Sequence, residues 1–284
     1  MRKALYILLS LFGGIAFLKP QANMDARMVG LGGAYTTLAK GYRCVGVNPA
    51  NLGVYKSTSL NLVNFSLGLG NNFFSLKNYN TITGVNLEDS LASNYLSKSQ
   101  FYEMFGGDGI RLMQSITMSL PILNFSTQRF ALTSNFSSNI DMGFPNGLLD
   151  LLFFGNTFGS SISIDMAQNS IITQDIGLSY GHSFNGYSIG FTLKYFLGLF
   201  YMGMESIETP FISTDITGFS GQNQYLIQQA LGGDGKGLDI GFLTPELKDG
   251  YRLGLSVINL LGTISWTQDH FIRAELENTL KNSA

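Results

Sequence analysis

The chain has 284 residues, a net charge of -2 and only 13% charged residues, against about 25% in an average soluble domain. So few charges would hardly cover a soluble surface. The net charge gives no reason to expect nucleic acid as a partner, since that requires a basic patch and the sequence has none that is recognisable. The abundant residues include Gly, Phe, Tyr, Ser and Asn, a mixture that suits a β-barrel with one lipid-facing and one wet face.

The N-terminus has the three parts of a secretory signal: Arg2 and Lys3, an apolar run over 4–18, and a polar stretch that ends near Ala22. The apolar run is short for a bilayer span, so residues 1–22 are predicted to be a signal peptide. Pro20 fits the small-residue cleavage rule poorly. An N-terminal anchor and a buried helix are the alternatives.

Residues 23–56 are predicted to form a small plug. Small residues are dense at its start, where they allow backbones to approach closely, and Asn48-Pro49-Ala50 follows as a rigid turn because Pro49 fixes a backbone dihedral. The one cysteine, Cys44, allows no internal disulfide and is interpreted as a small packed residue. The predicted plug residues are Arg27, Gly30, Gly32, Gly33, Ala34, Asn48, Pro49 and Ala50.

The region 57–267 alternates apolar and polar residues, which is typical of amphipathic strands. We expect an all-β antiparallel transmembrane barrel, with a helical insertion at about 86–105 and a polar loop over 203–235. A soluble sandwich is the alternative, because it too has one apolar face per strand. Strands are predicted at 57–69, 72–78, 111–123, 129–142, 159–166, 172–184, 187–199, 237–243, 251–260 and 263–267.

One hairpin can be predicted residue by residue, because Asn185-Gly186 is a strong signal for a two-residue turn. This turn pairs Phe184 with Tyr187, and continuing the register makes one face apolar and the other polar. Long strands with aromatic residues near the turn favour a membrane surface. The predicted lipid-facing residues are Ile176, Leu178, Tyr180, Phe191, Leu193 and Tyr195.

No pattern of a catalytic, metal or cofactor site is found, and we do not expect an enzyme. The run 233–237, GDGKG, lacks the Ser or Thr of a phosphate loop and is interpreted as a flexible turn. His182 and His270 have no ligand-spaced neighbours. A hydrolase built on His182 is disfavoured because Ser183 and Ser188 point to the opposite face of the predicted hairpin.

The segment ARMVGLGGA at 26–34, followed by NPANL at 48–52, resembles the N-terminal signature of the FadL and PorV-like outer-membrane β-barrels. An uncharacterised branch of that superfamily is the more specific resemblance, which also covers GDGIRL at 107–112, GDGKGLDIGFL at 233–243 and LGLSVINLLGTISW at 253–266. It implies a plug on the periplasmic side of the barrel. It also implies location in the bacterial outer membrane, in contact with its lipid and the barrel-assembly machinery.

The resemblance leaves two functions open. The leading expectation is passage of a small hydrophobic ligand, as in FadL-like transporters, and the alternative is a PorV-like scaffold for protein secretion or surface attachment. Relatives usually have about fourteen strands, an even number typical of such barrels. Since residues 268–284 read as a polar, helical tail, with Ile272, Leu276 and Leu280 every four residues, we expect an incomplete barrel that ends near Trp266. A ten-stranded barrel capped by a helix is the alternative.

Overall fold

The computed structural model describes residues 26–106, 109–120, 122–155, 158–207, 211–215, 218–247 and 250–281. The predicted signal peptide, residues 1–22, lies outside the described residues, as do residues 23–25 of the predicted plug. Most of what is described belongs to one eleven-stranded sheet. The strands are β1 (Ser59–Leu60), β2 (Asn64–Asn71), β3 (Ile110–Ser119), β4 (Phe125–Thr127), β5 (Phe130–Phe144), β6 (Ser161–Ser163), β7 (Ala167–Phe184), β8 (Tyr187–Ser206), β9 (Phe211–Asp215), β10 (Gly218–Leu243) and β11 (Gly254–Lys281).

The sheet is an antiparallel meander in which the long strands lie in the order β2, β3, β5, β7, β8, β10, β11. The short strands β1 and β4 pair beside the start of β5, and β6 and β9 pair beside the start of β10. Among the described residues, β11 pairs only with β10 and β2 only with β3. The antiparallel all-β fold is therefore confirmed, but the described sheet is open.

The predicted β7–β8 hairpin is confirmed in its register. Phe184 pairs with Tyr187, and the pairing continues in step to Asp175 with Phe196. Asn185 and Gly186 both have positive φ, 48° and 84°, as the preferred two-residue hairpin turn requires. The turn therefore decides which side chains share a face over ten residues of each strand.

Helices occupy the N-terminal segment and the connections. They are α1 (Ala26–Gly30), a 3-10 helix (Gly41–Cys44), α2 (Asn51–Val54), α3 (Leu76–Ile82), α4 (Lys98–Glu103) and α5 (Asn146–Phe154). The helical insertion predicted at about 86–105 contains one helix, α4. No strand forms over the predicted 72–78, where 72–75 are irregular and 76–78 begin α3. Serine caps explain both starts: the Ser75 side chain accepts from the Asn78 amide, and Ser97 forms a capping box with Gln100.

Two further predictions about secondary structure are wrong. The stretch 203–235 is mostly strand, since β8 continues to Ser206 and β10 begins at Gly218, and the GDGKG run lies within β10. Residues 268–281 belong to β11 and pair with β10, so they form no helix and no strand ends at Trp266. A spacing of four is also a multiple of two, so the pattern of Ile272 and Leu276 is equally compatible with a strand.

Candidate functional site

The N-terminal segment packs on one face of the sheet, here called the plug face. Its buried side chains, among them Tyr35, Val45 and Leu52, form a small apolar core with Ala131 of β5. Cys44 belongs to the same core, where its thiol donates to the Ala39 carbonyl at 3.3 Å. Burial raises the pKa of Cys44 to about 12. Residues 35–54, called the plug from here on, are thus held against the sheet by the burial of these side chains.

A row of glycines on three adjacent strands receives the plug. Gly181 of β7 pairs with Gly190 of β8, which pairs with Gly241 of β10. A Cβ atom on Gly181 would lie 2.8 Å from the Pro49 carbonyl oxygen, one on Gly190 2.5 Å from the Ala50 nitrogen, and one on Gly241 2.9 Å from Pro49 Cδ. Real Cβ atoms essentially never lie within 3.0 Å of a non-bonded neighbouring atom, so the Asn-Pro-Ala turn requires glycine at all three positions.

Asn48 fastens this turn to the sheet. Its side chain is fully buried, and its Nδ2 lies 3.3 Å from the carbonyl oxygen of Phe242 and 3.5 Å from that of Leu255. The Asn48 Oδ1 accepts from the Ala50 amide at 3.0 Å, and Ser188 Oγ donates to the Ala50 carbonyl at 2.6 Å. The turn therefore bonds to β8, β10 and β11 at once.

The two halves of the predicted plug motif differ in burial. Asn48, Pro49 and Ala50 are buried against the glycine row. Arg27, Gly30, Gly32, Gly33 and Ala34 are exposed, and a Cβ on any of those three glycines would meet nothing within 4 Å. Close packing of the first glycines is therefore a wrong prediction. Gly32 and Gly33 have φ of 60° and 86°, so the backbone turn accounts for glycine there.

Beside the plug, the plug face carries a buried charged cluster that the sequence did not predict. Lys194 Nζ lies 2.9 Å from Asp239 Oδ2, and it donates to Asn259 Oδ1 at 2.8 Å. The Asn259 amide donates to Asp239 Oδ1 at 2.9 Å. The Lys194 and Asp239 side chains are 7% and 0% exposed, so the two buried charges compensate each other, and Asn259 bonds to both.

A pocket with about 710 Å³ of empty space, part of it open to solvent, lies between this cluster and the plug residues Val45 and Gly46. Asp175 and Lys194 bring opposite charges to it. Apart from Val45, Phe196 and Ile258, the lining is polar or glycine, and its uncharged polar part is Ser115, Thr117, Asn135, Ser137, Asn139, Thr173 and Asn259. Hydrophobic ligands are held in mainly apolar pockets, so the pocket suits water and polar groups better.

The opposite face of the sheet, here called the outer face, is apolar and exposed. The predicted lipid-facing set lies there: Leu178 and Leu193 are 55% and 57% exposed, and Tyr180 is half-buried. The exposed fractions of Ile176, Phe191 and Tyr195 are 39%, 45% and 41%. The register carries the same face from Leu67 on β2 to Leu255 on β11, and both of these are exposed as well.

His182 lies on the outer face, where its Nδ1 is 2.9 Å from Arg129 Nη1 and 3.3 Å from the Tyr180 hydroxyl. The Ser188 hydroxyl lies on the plug side instead, where it bonds to the carbonyls of Ala50 and His182 and not to the His182 ring. Within the described ranges, no group of three or more His, Cys, Asp or Glu side chains could hold a metal ion.

In the part of the chain that the structure describes, no helix is both long and apolar enough to cross a membrane. Comparison with family models, curated proteins and solved structures finds no match to this chain.

Proposed function

We propose that this protein is a bacterial outer-membrane protein whose sheet forms part of a transmembrane β-barrel, with the outer face in lipid and the plug face in the lumen. The dimensions of β8 support this assignment. From Tyr187 to Tyr195 the strand has nine residues, within the roughly 9 to 11 that a tilted transmembrane β-strand needs. Exposed Ile189, Phe191 and Leu193 lie between the two tyrosines, which occupy the girdle positions.

We further propose that the protein is a scaffold, for protein secretion or surface attachment, and that it does not conduct hydrophobic molecules. One observation carries this choice: the pocket next to the plug is polar, and the charged side chains of Asp175 and Lys194 line it. A path for a hydrophobic molecule would have to desolvate these groups, which is costly for charges and for hydroxyl and amide groups alike. The partners of the scaffold are outer-membrane lipid, the barrel-assembly machinery and the protein that it anchors.

Membrane insertion can be tested with two single-cysteine variants of the full chain in a Cys44→Ala background. Leu178→Cys places a label on the outer face, and Ser137→Cys places one in the polar pocket. After reconstitution into phospholipid vesicles, a lipid-soluble quencher should act on the first label and an aqueous quencher on the second. Equal access of the aqueous quencher to both labels would contradict the proposal and favour a soluble sandwich.

The choice of scaffold over transporter needs a separate measurement. Wild-type protein is reconstituted into phospholipid vesicles of the same composition, and empty vesicles serve as the reference. A fluorescent long-chain fatty acid is added to both, and its saturable binding and its uptake are recorded. We expect no difference between the two. Saturable uptake that requires the protein would refute the scaffold assignment and restore passage of hydrophobic molecules, while leaving membrane insertion intact.

A further inference from the structure

A cluster of Arg129, His182 and Tyr180 lies at the turn end of the outer face, where neither the plug nor the pocket uses it. Arg129 lies in the turn between β4 and β5, and its Nη1 is 2.9 Å from His182 Nδ1. A guanidinium can only donate, so Nδ1 is the acceptor. The Tyr180 hydroxyl lies 3.3 Å from the same Nδ1. Among the described residues, no carboxylate forms an ion pair with Arg129.

An apolar groove begins beside this cluster. It is lined by Phe130, Leu178, Ser179, Tyr180, Phe191 and Leu193. Phe130 follows Arg129 in the chain, and Tyr180 joins the two features, because its ring lines the groove while its hydroxyl reaches His182. The Tyr180 ring is 4.9 Å from that of Phe130 and 5.8 Å from that of Phe191, centroid to centroid, so the aromatic side chains form a continuous surface.

The geometry points to a binding site for a phospholipid, with an acyl chain in the groove and the phosphate on Arg129. Charge complementarity supports this occupant: the groove is apolar, and the cation at its end bonds to His182 Nδ1 and forms no ion pair with a carboxylate among the described residues. Arginine is suited to phosphate because its guanidinium offers two parallel donors. The site lies near the turn end of the outer face, where His182 pairs with Ile189, two positions from Tyr187, and the proposed membrane orientation places the headgroups at this end. The inference thus rests on the proposed membrane insertion.

The test uses the full chain in detergent micelles, titrated with three probes: phosphatidylglycerol, a diacylglycerol with the same acyl chains, and inorganic phosphate. Retained lipid is counted by native mass spectrometry. Phosphatidylglycerol should be retained at least about tenfold better than diacylglycerol, as expected for charge-assisted hydrogen bonds to the phosphate. Inorganic phosphate should not compete at equal concentration, because it lacks the chain that fills the groove.

Arg129→Gln should lower the retention of phosphatidylglycerol about tenfold and leave that of diacylglycerol unchanged. Lys236→Gln is the matched control, since it removes an exposed cation from the same face, where Lys236 pairs with Tyr195 at the far end of the apolar band. It should have no effect. The Arg129 carbonyl accepts from the Gly181 amide, and this backbone bond is kept in the variant.

Equal retention of phosphatidylglycerol and diacylglycerol by the wild-type protein would overturn the site without any variant. Binding of inorganic phosphate as tight as that of the lipid would show an anion site with no role for the groove, and would also overturn it. If the quencher experiment shows insertion while these titrations fail, only the phospholipid site is wrong. If insertion itself fails, the proposed function is wrong.

Discussion

Gly190→Ala should loosen the plug without unfolding the sheet. The added methyl would lie 2.5 Å from the Ala50 nitrogen and 2.5 Å from the Pro49 carbonyl oxygen. Both atoms belong to the backbone, so no side chain can rotate away to make room. Overpacking of this kind costs about 1 to 3 kcal/mol. Alanine is compatible with the extended backbone of β8, so the cost falls on the contact between the sheet and the Asn48-Pro49-Ala50 turn. The equilibrium for plug release should therefore rise by a factor of about 5 to 150.

Cys44 reports this release, because it lies in the core of the plug and is fully buried. Burial raises its thiol pKa to about 12, and only the thiolate reacts, so labelling by a maleimide at pH 8 requires the plug to open. The labelling rate of Gly190→Ala should exceed that of wild type by the same factor. Gly30→Ala is the control: its Cβ would meet nothing, and its rate should match wild type. An unchanged rate in a folded Gly190→Ala protein would refute the packing argument.

Three further predictions concern the charged cluster, the outer face and the thiol. Asp239→Ala should lower the free energy of unfolding in urea by about 3 to 5 kcal/mol because it leaves Lys194 buried without its partner. Joint replacement of Asp239 and Lys194 by Leu and Met should cost less, and a double variant as unstable as the single one would contradict this. Leu178→Arg should cost about 2 to 4 kcal/mol in vesicles, whereas Leu91→Arg, at a side chain 94% exposed, should stay within about 0.5 kcal/mol; similar costs would argue against lipid at Leu178. Since the folded state raises the pKa of Cys44 to about 12, its contribution to stability is complete below the unfolded thiol pKa of about 8.5 and declines as pH rises toward 12. The stability difference between wild type and Cys44→Ala should shrink over that range, and a constant difference would count against the burial.

Two parts of the protein could be predicted because their signals are local. Asn185-Gly186 specifies the turn type, and a two-residue turn leaves one register for the strands on either side. Asn48-Pro49 likewise specifies a tight turn. The early glycines misled the prediction for a physical reason: the sequence shows that Gly32 and Gly33 are small, but not whether a neighbour approaches or the backbone needs positive φ.

By itself, the sequence determined the antiparallel strands, the apolar outer face and the rigid turn of the plug, because each depends on residues close together in the chain. Only the tertiary structure decided the extent of β10 and β11, since a polar strand is held by the ladders of its neighbours rather than by its own pattern. The charged cluster is also a tertiary product. The cluster brings together three strands, with Lys194 on β8, Asp239 on β10 and Asn259 on β11. The Asn259 amide donates to Asp239 from a backbone with a φ of 56°. The β10–β11 register is irregular at this point. No spacing in the sequence encodes that juxtaposition, because it depends on how three strands align.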